Sequence, residues 1–319
     1  MRRLIQLSAS MALGVFAATG AVAETFPSKP IELIVPYSPG GGSDVSARVF
    51  AECLSGHLPE KVVIKNITGG AGVVAEDTVR KERPTGYRLL WQHQSLHALS
   101  ARGVSEHTPE DFEIVAQAAA GYWGIFAGPK VPFEDVESLK QHIQKNPGDL
   151  RVGAALGGLS HFASLLFMDA AGMDISKVQI IGLSGGKNRI VAILQGNLHL
   201  ATLSIAAAQP YVKSGKMKAI GILAPDRVAA LPDHKTAKEQ GVDFSYAVNW
   251  ITWAPKGTPK DRLDVLRKAW KSASAETKCK ESFEKKVMSP LFRAHDEVAT
   301  YNKTELEAYK ALIKKFEIK

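Results

Sequence analysis

Three stretches of the chain bring glycine, serine and a helix start together, a combination that can hold an anion or activate a hydroxyl. The first is Pro39-Gly40-Gly41-Gly42-Ser43-Asp44. Its glycines lift the steric limits on the backbone, so peptide N–H groups can come close to a bound group. A helix opening after them adds unpaired N–H donors and the positive end of a dipole. The chemistry this suits is capture of a carboxylate by Gly41, Gly42 and Ser43, with Asp44 as the one acid beside them. The second stretch, Gly157-Gly158-Leu159-Ser160-His161, offers the same elements plus an imidazole donor. The third, Gly182-Leu183-Ser184-Gly185-Gly186, fits the Gly-x-Ser-x-Gly elbow of serine hydrolases, and Asp226 with His234, or Asp261 with His295, stand downstream in the order a triad needs. Neither histidine lies in a segment that reads as a strand-end loop. Ser184 therefore fits a helix cap or a ligand hydroxyl better than a nucleophile.

The elements that must position these stretches alternate between strand and helix. Residues 31–35 are a short β-branched run of the kind a parallel sheet buries on both faces, stopped by Pro36 and Pro39. Ser43 or Asp44 can cap the helix that follows, whose apolar stripe is Val45, Val49, Phe50, Leu54 and Leu58. Residues 62–65 form a second buried strand. The loop after it contains Gly70-x-Gly72-x-x-Ala75, a loose dinucleotide fingerprint, but no acid stands about twenty residues on to meet a ribose. No cofactor is expected. A helix through Val79 leads to a third strand, 88–91, ending in the polar loop Gln92-His93-Gln94-Ser95-Leu96-His97. Open α/β sheets bind ligands at such carboxyl ends, so Tyr37, Trp91, Gln92, Gln94 and Ser95 are candidates for telling ligands apart. His93 and His97 lack an acidic companion and are a poor metal pair.

The second half repeats the theme. Residues 113–127 are an extended run leaving the first domain, and 133–145 an amphipathic helix. The strand–turn–helix unit around Ser160, a candidate N-cap, buries Phe162, Leu165, Leu166 and Met168. Strands follow at 178–181, 198–203 and 218–223, with Ser204 opening a helix as a further candidate contact. Residues 247–255 return to the first domain, and helices span 260–275 and 296–316. The last carries Val298, Tyr301, Leu306, Tyr309, Ile313 and Phe316 on one packing stripe. This pattern is a two-domain α/β architecture, each domain a mostly parallel sheet flanked by helices, with two crossings between them. The expected limits are 24–123 plus 252–319 for the first domain and 124–251 for the second.

Bulk properties narrow the setting. Arg2 and Arg3, an apolar core to Val15 and Ala21-Val22-Ala23 read as an export signal over residues 1–23. Its removal lowers the formal charge from +8 to +6. The basic residues are scattered without interleaved aromatics, which argues against a nucleic-acid partner. Cys53 and Cys279 exclude a disulfide-rich scaffold and leave a single bridge open as a question.

Residues 26–31, the run Val35-Pro36-Tyr37-Ser38-Pro39-Gly40-Gly41-Gly42-Ser43-Asp44, the loop 66–72 and Gly86-Tyr87 with Leu89-Leu90 resemble the extracytoplasmic substrate-binding proteins of tripartite tricarboxylate transporters, the Bug receptors. The likeness continues to the C-terminus. It implies a periplasmic receptor of type II-like fold, monomeric, that closes its Gly-x-x-Ser-His segment over a small carboxylate and then docks on membrane transporter subunits. In that family a polar or acidic residue often stands where this chain has Leu203.

Overall fold

The computed structural model describes residues 25–318; the expected export signal lies outside them. The chain opens with β1 (Ile31–Val35), α1 (Gly42–Cys53), β2 (Val62–Asn66), α2 (Val73–Arg80), β3 (Arg88–Gln92) and a short α3 (Ser95–Ala101). β1 pairs in parallel with β2 on one side and β3 on the other. Ile31, Leu33, Val35, Leu89 and Trp91 are fully buried, as expected of strands covered on both faces. α1 lies on this block through Ala47 and Phe50, and Phe50 stacks on Trp91 at 5.6 Å.

The organising strand is β4 (Phe112–Ala127), sixteen residues long. After it come α4 (Val136–Lys145), β5 (Arg151–Ala154), α5 (Leu159–Ala170), β6 (Gln179–Gly182), α6 (Gly186–Leu194), β7 (Leu200–Ser204), α7 (Ile205–Lys213), β8 (Lys218–Leu223) and β9 (Ala247–Pro255). The chain ends with α8 (Lys260–Ala275), α9 (Thr277–Glu284), β10 (Ser289–Arg293) and α10 (His295–Lys315). From Phe112 to Tyr122, β4 runs antiparallel to β9, which also pairs with β3. From Trp123 onward it changes partners and runs between β7 and β8. Each lobe thus has a parallel block, β2-β1-β3 or β6-β5-β7, completed by antiparallel strands. One covalent strand belongs to both.

Several boundaries differ from the sequence reading for local reasons. The helix expected from 133 starts at Val136, because the Asp135 carboxylate accepts the Ser138 N–H at 2.8 Å and caps it there. The polar loop 92–97 becomes helix at Ser95, which buries His97. Cys53 and Cys279 are bridged, tying α1 to α9. The packing stripe of α10 does more than fill one lobe: Tyr309 meets Phe162 of α5 at 4.8 Å between ring centres. Leu159 and Phe162 accordingly join the apolar cluster that holds Trp250 and Trp270.

Candidate functional site

α1 begins at Gly42 with Gly41 as its N-cap, and no side chain supplies the cap. The expected cap from Ser43 or Asp44 is therefore corrected: both lie one or two residues inside the helix. The first helical bond is Val45 N–H to the Gly41 carbonyl at 2.9 Å. The amides of Gly42, Ser43 and Asp44 precede it and point out of the helix end. Gly41 and Gly42 are exposed there.

Asp44 has a different task from the ligand contact expected of it. Its carboxylate receives Arg48 Nε at 3.0 and 3.1 Å, the Gly40 N–H at 2.9 Å and Asn66 Nδ2 at 3.0 Å. The Arg48 bond above all holds its pKa down at about 2. Asn66 also donates to the Tyr37 carbonyl at 2.9 Å. Asp44 thus clamps the glycine turn to the end of β2, while Arg48 neutralises a charge that would repel an anion. The sequence signal was available: an acid four residues before an arginine at a helix start.

Ser43 is fixed from the other side. Trp250 of β9 donates Nε1 to Ser43 Oγ at 3.0 Å. Trp250 carries no signal of such a role in the sequence, because its partner lies 207 residues away. Trp91, expected at the cleft, is instead wholly buried, with its Nε1 on Ser46 Oγ at 3.0 Å.

Tyr37, Gln92 and Ser95 do converge. The Tyr37 hydroxyl lies 2.9 Å from Ser95 Oγ and donates to Gln92 Oε1 at 3.1 Å. Burial pushes the phenol above its ordinary range. Gln92 is itself buried and donates Nε2 to Glu76 at 2.9 Å, and burial raises the Glu76 carboxyl. Behind Tyr37 stands a polar chain that leaves the Gln92 amide little to offer a ligand. His93 stacks on Tyr37 at 5.0 Å, and burial lowers its pKa to about 3. Gln94 bonds to β9 at both ends, donating to the Ala247 carbonyl and accepting the Asn249 N–H. It positions the crossing strand.

In the second lobe Gly158, not Ser160, is the N-cap of α5. Ser160 Oγ instead accepts the Ala155 N–H at 2.9 Å and closes the turn. His161 Nδ1 accepts the Gly157 N–H at 3.1 Å, which leaves its proton on Nε2. Burial, helped by the Arg102 charge, lowers its pKa, so the ring is a neutral donor. Arg102, just after α3, donates Nη1 to the Gly157 carbonyl at 3.3 Å and so joins the two lobes beside this turn. Ser204 caps α7 by accepting the Ala207 N–H at 3.3 Å. Ser184 is exposed, and Gly185, not Ser184, caps α6. Among the described residues no hydrogen bond joins the Ser184 hydroxyl to a histidine; its carbonyl accepts Asn188 Nδ2 at 3.0 Å.

The glycine turn of the first lobe and the Gly158–His161 turn of the second both stand at carboxyl ends of parallel strands, where such sheets gather ligands. What they present is backbone N–H groups, a neutral imidazole donor and hydroxyls, a set suited to an oxyanion.

Comparison with known proteins bears on the family and the fold. The profile of the tripartite tricarboxylate transporter family receptor matches residues 46–318. A UPF0065 protein of Bordetella pertussis is 31% identical over 276 residues, covering 85% of this chain and 84% of that protein. The solved periplasmic binding protein BugD superposes with a TM-score of 0.76 at 25% identity, over 92% of this chain and 99% of its own. Two further structures share the fold: MatC of Rhodopseudomonas palustris with bound malate (TM-score 0.75, 24% identity, 90% and 100% covered) and Rpa4515 of the same organism with adipate (0.78, 22%, 91% and 97%).

Proposed function

The chain belongs to the tripartite tricarboxylate transporter receptor family, and we propose that it is a periplasmic receptor that captures a small organic carboxylate between its lobes for a membrane transporter. The observation that carries this reading is the exposed helix end of α1, with the Gly42 and Ser43 amides unpaired and Asp44 neutralised behind them. The ligand side chains of this proposal are Tyr37, Ser43 and Ser95 from the first lobe and His161, Ser184 and Ser204 from the second, with backbone donors at Gly42, Ser43 and Ser160. The expected donors Gly41 and Gly158 are taken up by the Ser38 and Ala155 carbonyls at 3.3 and 2.8 Å. The lobe limits 24–123 plus 252–319 and 124–251, the export signal, the monomeric state and the docking on transporter subunits belong to the same proposal.

Hydrogen bonds to a charged group contribute about 1.5–3 kcal/mol each. Three or four converging on one carboxylate reach micromolar affinity, about −8 kcal/mol, after the cost of closing the lobes. The malate and adipate held by the two Rhodopseudomonas palustris proteins support a dicarboxylate first, ahead of tri- and aromatic carboxylates. The test is a thermal-shift screen of the mature chain against such acids. A ligand at a hundred times its Kd adds about 2.7 kcal/mol, which raises the melting temperature by roughly 4 °C in a chain of this size. A full panel with no shift rules the reading out.

A further inference from the structure

Arg189, the fourth residue of α6, is only 4% exposed, yet no ion pair involves it among the described residues. Its Nη1 donates to the Leu183 carbonyl at 3.1 Å, and its Nε is buried without a partner. Arg48, Arg88 and Arg227 have carboxylates in Asp44, Glu32 and Glu239, while Arg151, Arg262, Arg267 and Arg293 bond neutral oxygens but remain partly exposed. A buried cation served by one neutral carbonyl is costly, and structures keep such a charge where it is paired or bound. Burial lowers its pKa to about 10, so it stays charged at neutral pH.

The surroundings make room for this arginine and direct it. β5 carries Gly153 beneath its arm: a Cβ there would run into Leu198 and lie 3.4 Å from Arg189 Cδ, so both side chains pack over the bare backbone. The guanidinium reaches Leu183 in the β6–α6 turn. The first bond of α6 is Arg189 N–H to the Gly185 carbonyl at 3.2 Å, so the amides of Gly186, Lys187 and Asn188 precede it at the same turn. Ser184 and Gly185 are exposed there. The turn also abuts the cleft side of the lobe: a Cβ on Gly182 would lie 2.9 Å from Leu156, in the loop leading to α5. Leu156 is 59% exposed, an apolar surface beside two polar turns.

We propose that Arg189 and the turn 182–186 form an anion subsite that takes the second acidic group of a straight-chain dicarboxylate, with Leu156 against its methylene spacer. This rests on the carboxylate reading of the cleft above. The arginine supplies the charge, and the helix end and Ser184 supply donors that the ligand meets directly.

The test titrates the mature wild-type chain, Arg189→Gln and Arg189→Met with straight-chain dicarboxylates from malonate to adipate and with monocarboxylates of matching length. Wild type binds its preferred dicarboxylate at least about tenfold more tightly than the matching monocarboxylate. Arg189→Gln loses the charge, and its amide nitrogen, standing where Nε does, falls short of the Leu183 carbonyl. The substitution brings that ratio close to one, leaves the monocarboxylate affinity unchanged, and does not lower the ligand-free melting temperature. Arg189→Met separates charge from propping: a merely structural arginine would lower the melting temperature and both affinities together, which overturns the proposal, as does an unchanged ratio in Arg189→Gln. If monocarboxylates and dicarboxylates alike fail to bind wild type, the carboxylate reading falls and takes this subsite with it.

Discussion

Trp250 donates its indole N–H to Ser43 Oγ at 3.0 Å, so the strand that returns between the lobes is fastened to the turn that carries the free amides. Its ring lies where two glycines leave space. A Cβ on Gly121 would come 2.9 Å from the ring, and one on Gly42 3.6 Å. A shift of β9 against β4 must therefore move Ser43, which couples the geometry of the crossing to the geometry of the anion site.

Gly121→Ala tests that coupling. The added methyl cannot fit without displacing Trp250, and overpacking of this kind costs about 1–3 kcal/mol. The expected result is a lower melting temperature together with weaker carboxylate binding and altered tryptophan emission. Trp250→Phe should leave Gly121 unclashed and weaken binding, with some loss of stability from the buried volume it empties. An unchanged melting temperature in Gly121→Ala would show that the ring does not occupy that space.

Asp44 makes stability depend on acid pH. Its folded pKa of about 2 lies below the ordinary carboxylate value of 3.8, so the native state holds the proton less readily than the unfolded chain. The stabilisation is complete above pH 4 or so and fades as pH falls towards 2, a contribution of roughly 2 kcal/mol. Asp44→Asn keeps the shape but loses the charge. It should flatten this part of the pH–stability curve and destabilise the chain at pH 7; a curve parallel to wild type between pH 2 and 5 would contradict the clamp.

Much of this arrangement was legible in the residues. The βα units around Gly40–Gly42 and Ser160 announce themselves through glycines, β-branched runs and helical stripes, because those signals are local. What was not legible depends on partners far along the chain. Asp44 looks like a cap until Asn66 and Arg48 are seen to saturate it. Trp91 and Trp250 are both buried tryptophans on strands, yet one bonds Ser46 inside α1 and the other Ser43 at its exposed start, a difference set by register against β9 and β4. Gln94 is a loop residue by type and a brace for β9 by contact. Arg189 gave no signal, since an arginine on a helix is solvated far more often than buried.

The Cys53–Cys279 bridge closes a sequence separation of 226 residues and anchors the far end of α1. Bridges restrict the unfolded chain and typically stabilise by about 2–4 kcal/mol. Reduction, or the double substitution Cys53→Ser with Cys279→Ser, should lower the melting temperature by roughly 3–6 °C. Ligand affinity should change little at temperatures where the fold persists, because the helix end that presents the amides lies at the opposite end of α1. Unchanged melting under reducing conditions that free both thiols would remove the bridge from the stability account.

Arg102 and Gly157 form a further joint between lobes. Gly157 has a φ of +67°, which favours glycine, and a Cβ there would fall inside the Arg102 guanidinium. Arg102→Ala removes the bond to the Gly157 carbonyl and should cost about 0.5–1.5 kcal/mol of closure. Binding would weaken roughly three- to tenfold, mostly through faster release, and the ligand-free chain would scatter with a larger radius of gyration. Gly157→Ala should be worse, because it adds about 1–2 kcal/mol of left-handed strain to a displaced arginine. Since part of that cost is the clash, Arg102→Ala in the Gly157→Ala background should recover some of the lost stability. Strict additivity of the two substitutions would mean that the side chains do not meet across the cleft.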